Sequence, residues 1–452
     1  MGDSSTPAGD SAISGDLPQP CSQPLNVLSD EFYRARLSDA AKTRKADGIR
    51  ALFPLEARSG LISLLAGKPN EETFPITSLQ FTMRDPSSAE DIKLELTEGE
   101  LHQGLQYTPT NGFEELREWV FGLQAFQHDR QKGEGWTVSI GAGSQDLIFK
   151  AASALLNPGD ALFVEAPVYA GVLPVFHSLG CDMIEAETDA YGICSGSLRT
   201  VLENWPSTRP KPRALYTVPY GCNPTGMTAT LERRLEVLEL SREHDFIILE
   251  DDPYYNLYFG RSDRPPSYFT LDRSQPEVGR VVRFDSLSKI ISSGIRIGFV
   301  SGPNVVVHAM DQHTMAVNLQ PSSLSQAVTL KVLKSWGYEG FALHTSRIAQ
   351  FYREKRDIFE AAMQRHLAGL AEWTKPEAGM FFWFKLLLDG DGDSESLIRT
   401  KALERGVLAI PGTVFLPSGR KSAYVRTSFS ILPAEQVDEA LRRLRDVILD
   451  AR

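Results

Sequence analysis

The sequence predicts an α/β fold: one mostly parallel sheet of seven strands flanked by helices, followed by a smaller C-terminal α+β domain. Three observations predict it. Short β-rich runs recur at 137–140, 161–165, 182–185, 214–218, 246–249, 281–284 and 297–300. Several alternate with helical patterns, as at 144–156 and 230–244, and such alternation builds βαβ units. The run Phe246-Ile247-Ile248-Leu249 is apolar at every position, as expected of a strand covered on both faces.

Taken in order, residues 1–29 are rich in Ser, Gly, Pro and Asp. They predict a disordered tail, because that composition cannot bury apolar surface. A helix and an irregular arm are expected over 30–75. Phe32, Tyr33, Leu37, Ala40 and Ala41 keep helical spacing as far as Gly48, and then Gly60, Gly67-Lys68-Pro69-Asn70 and Pro75 mark loop. The large domain spans 76–322 and opens with an amphipathic helix at 111–131. From 323 to 452 the character changes. Helical stretches at 323–336 and 340–369 precede short strands near 381–385, 407–410 and 424–428, and a closing helix begins at 433. Helices and strands segregated in this way describe an α+β domain.

Composition narrows the function. A chain of 452 residues with net charge −11 is a poor partner for a phosphate backbone, since nucleic-acid binders present basic faces. The basic cluster Arg353, Lys355 and Arg356 reads as a solvated helix face. Four cysteines without a CxxC pair fit a reducing compartment. No apolar run approaches membrane-spanning length, and the acidic, serine-rich N-terminus resembles neither a secretory signal nor a transit peptide. A cytoplasmic protein with neither a membrane nor a nucleic-acid partner is expected.

The chemistry-bearing residues stand at strand ends, where open α/β sheets hold ligands. Gly141-Ala142-Gly143-Ser144-Gln145 follows one strand and opens a helix. It offers either an anion site made of free N–H groups or simple capping by Ser144. Tyr169 follows another strand and can stack on a flat ligand or serve as a rim residue. Asn223, in Tyr220-Gly221-Cys222-Asn223-Pro224-Thr225-Gly226, offers an amide within what is otherwise a turn. Glu250, Asp251 and Asp252 close the most apolar strand, and Tyr254 follows. Carboxylates there are costly unless a positive group pairs with them, and a protonated ring nitrogen is one such group. Three carboxylates for a divalent cation lack any accompanying histidine, so no metal is expected. Ser286-Leu287-Ser288-Lys289 and Arg296 add two hydroxyls, an amine and a forked guanidinium suited to a phosphate. A phosphate cradle, a stacking ring, an amide, a carboxylate, a phenol and a lysine together are what pyridoxal phosphate requires.

These motifs, with Tyr424-Val425-Arg426-Thr427-Ser428, resemble the fold type I pyridoxal-phosphate aminotransferases of class I/II. Within that class the chain is most similar to kynurenine/α-aminoadipate and aromatic-amino-acid aminotransferases, from Asp30 to the C-terminus. The resemblance implies that Lys289 is the Schiff-base lysine and proton shuttle, and that Asp251 pairs with the pyridine nitrogen. It implies that Asn223 and Tyr254 hold the ring's O3′, and that Tyr169 stacks on the ring. Ser144, Gln145, Ser286, Ser288 and Arg296 bind the phosphate, joined by Tyr107 from a neighbouring subunit, which makes the protein a homodimer. Arg426 grips the substrate α-carboxylate, while Ile49, Arg50, Gly67, Leu319 and Phe381 line the side-chain pocket. Lys68 departs from the apolar residue common at that position. The implied reaction moves an amino group between an aromatic L-amino acid and a 2-oxo acid such as 2-oxoglutarate, by ping-pong chemistry. The same fold also serves lyases, decarboxylases and synthases. An amino-acid-sensing regulator is disfavoured, because residues 1–29 are too short and too acidic for a helix-turn-helix domain.

Overall fold

The computed structural model describes residues 25–451 except 46–47, 50–51, 53–54, 57, 66 and 389–391. Helices Asp30–Arg36 and Asp39–Thr43 come first, the single helix expected as far as Gly48 being broken by the extended Leu37 and Ser38. A small antiparallel hairpin follows, β1 (Gln80–Arg84) with β2 (Asp91–Glu95). Neither strand is predicted by the sequence: both are short with no fully buried position, and β2 carries three charges.

The main sheet contains β3 (Trp136–Gly141), β4 (Ala161–Ala166), β5 (Asp182–Asp189), β6 (Gly192–Ile193), β7 (Ala214–Thr217), β8 (Ile247–Asp251), β9 (Val281–Ser286) and β10 (Gly298–Pro303). Their order across the sheet is β3-β10-β9-β8-β7-β4-β5-β6. All seven predicted strands are present. The eighth, β6, is a two-residue edge strand returning antiparallel along β5, too short to leave a period in the sequence.

Strands β5, β4, β7, β8 and β9 are parallel, whereas β10 runs antiparallel to both β9 and β3. Chain length explains the reversal. Only residues 287–297 join β9 to β10, and a parallel crossover needs about a dozen or more residues. Because β3 and β10 both flank this reversal, β3 again points the same way as β9. The carboxyl ends of β3, β4, β7, β8 and β9 therefore open on one edge.

Helices Glu114–His128, Ser144–Leu155, Leu231–His244 and Asn304–Val317 cover the sheet. Helix Ser323–Leu367 follows and is interrupted at Gly337, whose φ of 64° and ψ of −172° are not helical. That break lies where the sequence predicts a gap between two helices. A second antiparallel sheet follows, with β11 (Ala371–Trp373), β12 (Phe381–Leu386), β13 (Ile410–Pro411) and β14 (Tyr424–Ser428) in the order β11-β12-β14-β13. Helix Ala434–Leu449 closes the chain.

Two large apolar cores result among the described residues. One surrounds the main sheet and takes in Leu333 and Phe341 of the long helix. The other joins Phe359 and Met363 of that helix to Phe382, Phe384 and Val425 of the small sheet and to Leu441 and Leu444 of the last helix. Strand alternation turns the neighbours Phe381 and Arg426 the opposite way, toward the main sheet, where they meet Tyr254 and Asn223.

Two further expectations need correction. The disordered tail does not extend to residue 29. Val27 bridges Val278, and the Asn26 side chain donates to the Pro276 carbonyl at 3.0 Å, while residues 1–24 lie outside the described residues. Arg356 is not on a solvated face either. It is 5% exposed and donates to the Pro376 carbonyl at 2.7 Å, because its place on the long helix faces the second core. Among the described residues no helix is long and apolar enough to cross a membrane.

Candidate active site

Gly143, at a φ of 93°, turns the chain from β3 into helix Ser144–Leu155. Ser144 is the first helical residue rather than its cap, and no side chain caps this start. The first-turn N–H groups and the helix dipole are left to attract an anion. Arg296, itself at a φ of 54°, ties this start to the turn after β9. One guanidinium nitrogen donates to the Ala142 carbonyl at 3.0 Å and the other to Ser288 Oγ at 3.0 Å. The cradle admits no extra atoms. A Cβ on Gly143 would stand 2.3 Å from Arg296 Nη2, and one on Gly298 would stand 2.8 Å from the Ser144 nitrogen.

Tyr169 begins the 3₁₀ turn after β4 and is half-buried. Gln145 Nε2 donates to the Gly171 carbonyl at 2.7 Å, so its side-chain amide ties the Tyr169 turn to the helix start. Its backbone N–H remains in the first turn with that of Ser144.

The three carboxylates after β8 separate sharply. Arg283 on β9 is fully buried and ion-pairs with Asp252, with Asp285 at 2.8 Å and with Glu250 at 3.4 Å. Asp252 and Glu250 therefore have a fixed cation in Arg283. Asp251 is different. Its Oδ2 accepts from the Tyr216 hydroxyl at 2.6 Å, while Oδ1 is buried with no partner. Burial pushes the Asp251 carboxyl up to about 7; the Tyr216 hydrogen bond opposes this, and the negative Asp285 and Glu165 reinforce it.

The sign of the linkage follows. A raised carboxyl contributes stability that is complete below its unfolded value of 3.8 and is lost as pH rises through about 7. Asp251→Asn is neutral throughout. In the cofactor-free protein it is expected to gain on the parent between about pH 5 and about pH 8, by up to about 2.5 kcal/mol. Urea unfolding at both pH values measures the gain, and a gap that does not widen would remove burial as its cause.

Lys289 ends the 3₁₀ turn Leu287–Lys289. Its side chain is solvent-accessible, yet partial burial of the amine and then the positive Arg296 lower its pKa. Ser286 Oγ accepts from the Ser288 nitrogen at 3.2 Å, which fixes the turn. Across the cleft, Arg426 donates to Asn223 Oδ1 at 2.9 Å, and its guanidinium carbon lies 4.4 Å from the centre of the Phe381 ring. Tyr254 is buried and meets Phe381 edge-on at 6.1 Å.

Apart from Arg426, which reaches its edge through Asn223 and Phe381, these groups line one cavity of about 250 Å³. Ser144, Gln145 and Tyr169 come from the β3 and β4 ends, Asn223, Asp251 and Tyr254 from β7 and β8, and Ser286, Ser288, Lys289 and Arg296 from β9. Phe381 closes it from the small sheet. Larger hollows of about 1020 and 900 Å³ lie elsewhere, so convergent polar groups rather than size mark the site. Tyr107, Ile49, Gly67 and Leu319 do not line this cavity. They are exposed, Tyr107 by 49% and Ile49 by 58%. Arg50 lies outside the described residues. The sequence reading omits Tyr216, whose contact with Asp251 depends on strand register, and the lining residues Val218, Pro253 and Ser293.

The site fits pyridoxal phosphate. An uncapped helix start with Arg296 and three serines suits the phosphate, and the orphaned Asp251 Oδ1 suits a protonated ring nitrogen. Lys289 Nζ suits the aldehyde. Gly143→Ala is expected to weaken cofactor binding by at least about tenfold, through strain at positive φ and the blocked cradle. Equilibrium dialysis measures it, and unchanged affinity would place the phosphate elsewhere.

The family model "Aminotransferase class I and II" matches residues 81–444. The chain is 42% identical over 402 residues to the protein named Aminotransferase tdiD of Emericella nidulans, covering 88% of this chain and 92% of that one. It is 39% identical over 434 residues to the mitochondrial kynurenine/alpha-aminoadipate aminotransferase of Rattus norvegicus, covering 92% and 99%. The crystal structure of the aromatic aminotransferase Aro9 from C. albicans superposes with a TM-score of 0.82 at 26% identity, covering 92% and 97%. With these likenesses and this cleft, the chain belongs to the class I and II aminotransferases and is a pyridoxal-phosphate-dependent transaminase.

Proposed function

We propose that this transaminase moves an amino group from an aromatic L-amino acid to a 2-oxo acid such as 2-oxoglutarate. The observation that carries the aromatic preference is the wall made by Phe381, edge-on to Tyr254 and beneath Arg426. Such a wall favours a flat apolar side chain beside a bound carboxylate. The words kynurenine and aromatic in the names of the rat and C. albicans relatives support the same class.

When bound, pyridoxal phosphate supplies an aldehyde for an amine and a ring that draws electrons from the substrate Cα. The protein's own groups do the rest. Lys289 Nζ takes and returns the Cα proton, and its lowered pKa favours the neutral amine that a base requires. Asp251 Oδ1 holds the ring-nitrogen proton, Asn223 and Tyr254 orient the ring oxygen, and Tyr169 covers one ring face. Ser144, Gln145, Ser286, Ser288 and Arg296 hold the phosphate, and Arg426 orients the substrate through its α-carboxylate.

We infer a homodimer in which Tyr107, Ile49, Gly67 and Leu319 of one subunit complete the cleft of the other. Ile62 and Leu64, on the same arm, are 91% and 98% exposed, which supports burial against a second copy. Sedimentation should give about twice 50.1 kDa, and a monomer at working concentration would refute it. Cytoplasmic residence is proposed on the free thiols Cys181, Cys194 and Cys222, although the rat relative is named mitochondrial.

The test is a panel of phenylalanine, tyrosine, tryptophan, kynurenine and aminoadipate against 2-oxoglutarate, with product analysis. Aromatic donors should give their 2-oxo acids with kcat/KM about tenfold or more above aminoadipate, the scale of a hydrophobic pocket's preference. Release of carbon dioxide or of a side-chain fragment would favour lyase or decarboxylase chemistry instead.

A further inference from the structure

We propose that Tyr216 is a positioning residue: its phenol holds Oδ2 of Asp251 and so turns the other oxygen, Oδ1, to the cofactor's ring nitrogen. Tyr216 stands on β7, in register with Leu249 of β8. Asp251 lies two residues beyond Leu249 on the same face, within diagonal reach of a tyrosine. The hydroxyl donates to Oδ2 at 2.6 Å, and Oδ1 is left buried and without a partner. The phenol cannot swing away. Tyr216 is fully buried, and its ring meets the equally buried Phe176 edge-on at 5.8 Å.

This geometry divides the two oxygens between two tasks. A carboxylate with one oxygen already bonded has one rotamer and one free acceptor, so the ring nitrogen meets a fixed partner. The bond also favours the charged carboxylate against burial. The groups around it conflict: Asp285 and Glu165 oppose that charge, and Arg283, already shared among three other carboxylates, supports it. Tyr216 is the donor in direct contact. Without it, Oδ2 becomes a buried acceptor lacking a donor, and the carboxyl tends to keep a proton that otherwise sits on the ring nitrogen.

The inference rests on the cofactor reading above, and the experiment separates the two. The full chain and its Tyr216→Phe variant are titrated with pyridoxal phosphate carrying ¹⁵N in the ring. Tyr216→Phe should weaken binding by roughly 10- to 100-fold, the range for a hydrogen bond to a charged group. The ring ¹⁵N resonance should move from the pyridinium toward the neutral-pyridine position, which a purely structural role would not cause. In an Asp251→Asn background the same substitution should change affinity by no more than about threefold. Tyr216→3-fluorotyrosine keeps the ring, provides a stronger donor, and should move the resonance the opposite way. It decides the matter if the phenylalanine variant does not fold.

An unmoved resonance, or an equal loss of affinity in both backgrounds, overturns the role of Tyr216. Failure of the unmodified chain to bind pyridoxal phosphate would instead overturn the cofactor reading.

Discussion

Lys289→Ala should reduce turnover by at least about 10⁴-fold, the combined loss of a positioned base and of the covalent attachment point. The expectation follows from one turn of chain. Residues 287–297 carry Lys289 to the mouth of the cleft, and the Ser286–Ser288 bond and Arg296 hold that turn in place. The rest of the cradle is independent of the lysine, so the phosphate site should survive. The variant is therefore expected to bind pyridoxal phosphate yet leave it with the absorbance of a free aldehyde. Single-turnover conversion to the pyridoxamine form, followed by absorbance, measures the loss. Conversion at the parent rate would remove Lys289 from the chemistry altogether.

Arg426→Ala should reduce kcat/KM by roughly 10³-fold, chiefly through KM, because two charge-assisted hydrogen bonds to a carboxylate contribute ~4 kcal/mol together. The guanidinium is held ready. It donates to Asn223 Oδ1 and stacks near Phe381 and Phe415, at 4.4 and 5.2 Å from the ring centres, and its Nε is buried without a partner. Truncation removes the carboxylate's fork and also frees Asn223. Arg426→Lys keeps the charge but loses the planar fork, so an intermediate loss is expected. Steady-state kinetics over a range of donor concentrations distinguish the cases. A fall in kcat with KM unchanged would mean that Arg426 does not bind the substrate carboxylate.

Much of this site was legible along the chain. Every strand that ends in the cleft is a β-rich run long enough to leave a signal, and each is followed within a few residues by its polar group. Asp251 closes β8 and Ser286 closes β9. Tyr169, Asn223 and Lys289 lie only a few residues past their strands. Local order was enough for those.

The carboxylate cluster shows where local order ends. The sequence gives Glu250, Asp251 and Asp252 the same need for a positive partner. Arg283 answers for the first and third, and leaves Asp251 to Tyr216. Nothing in a window of a few residues contains that choice, since Tyr216 and Asp251 are separated by 35 positions. The buried Arg356 and the reversed β10 have the same origin. The first depends on which face of a long helix meets the second core, and the second on the short span between β9 and β10.

The sequence by itself determined the kind of fold, the cofactor and the order of reactive groups, because hydrophobic period and strand-end chemistry are written in adjacent residues. The tertiary structure alone decided which oxygen of Asp251 stays open and which carboxylates Arg283 neutralises. It also decided that Ile49 and Gly67 lie away from the cavity of their own chain. These are matters of register and packing between distant segments, where hydrogen-bond partners are assigned by proximity in space.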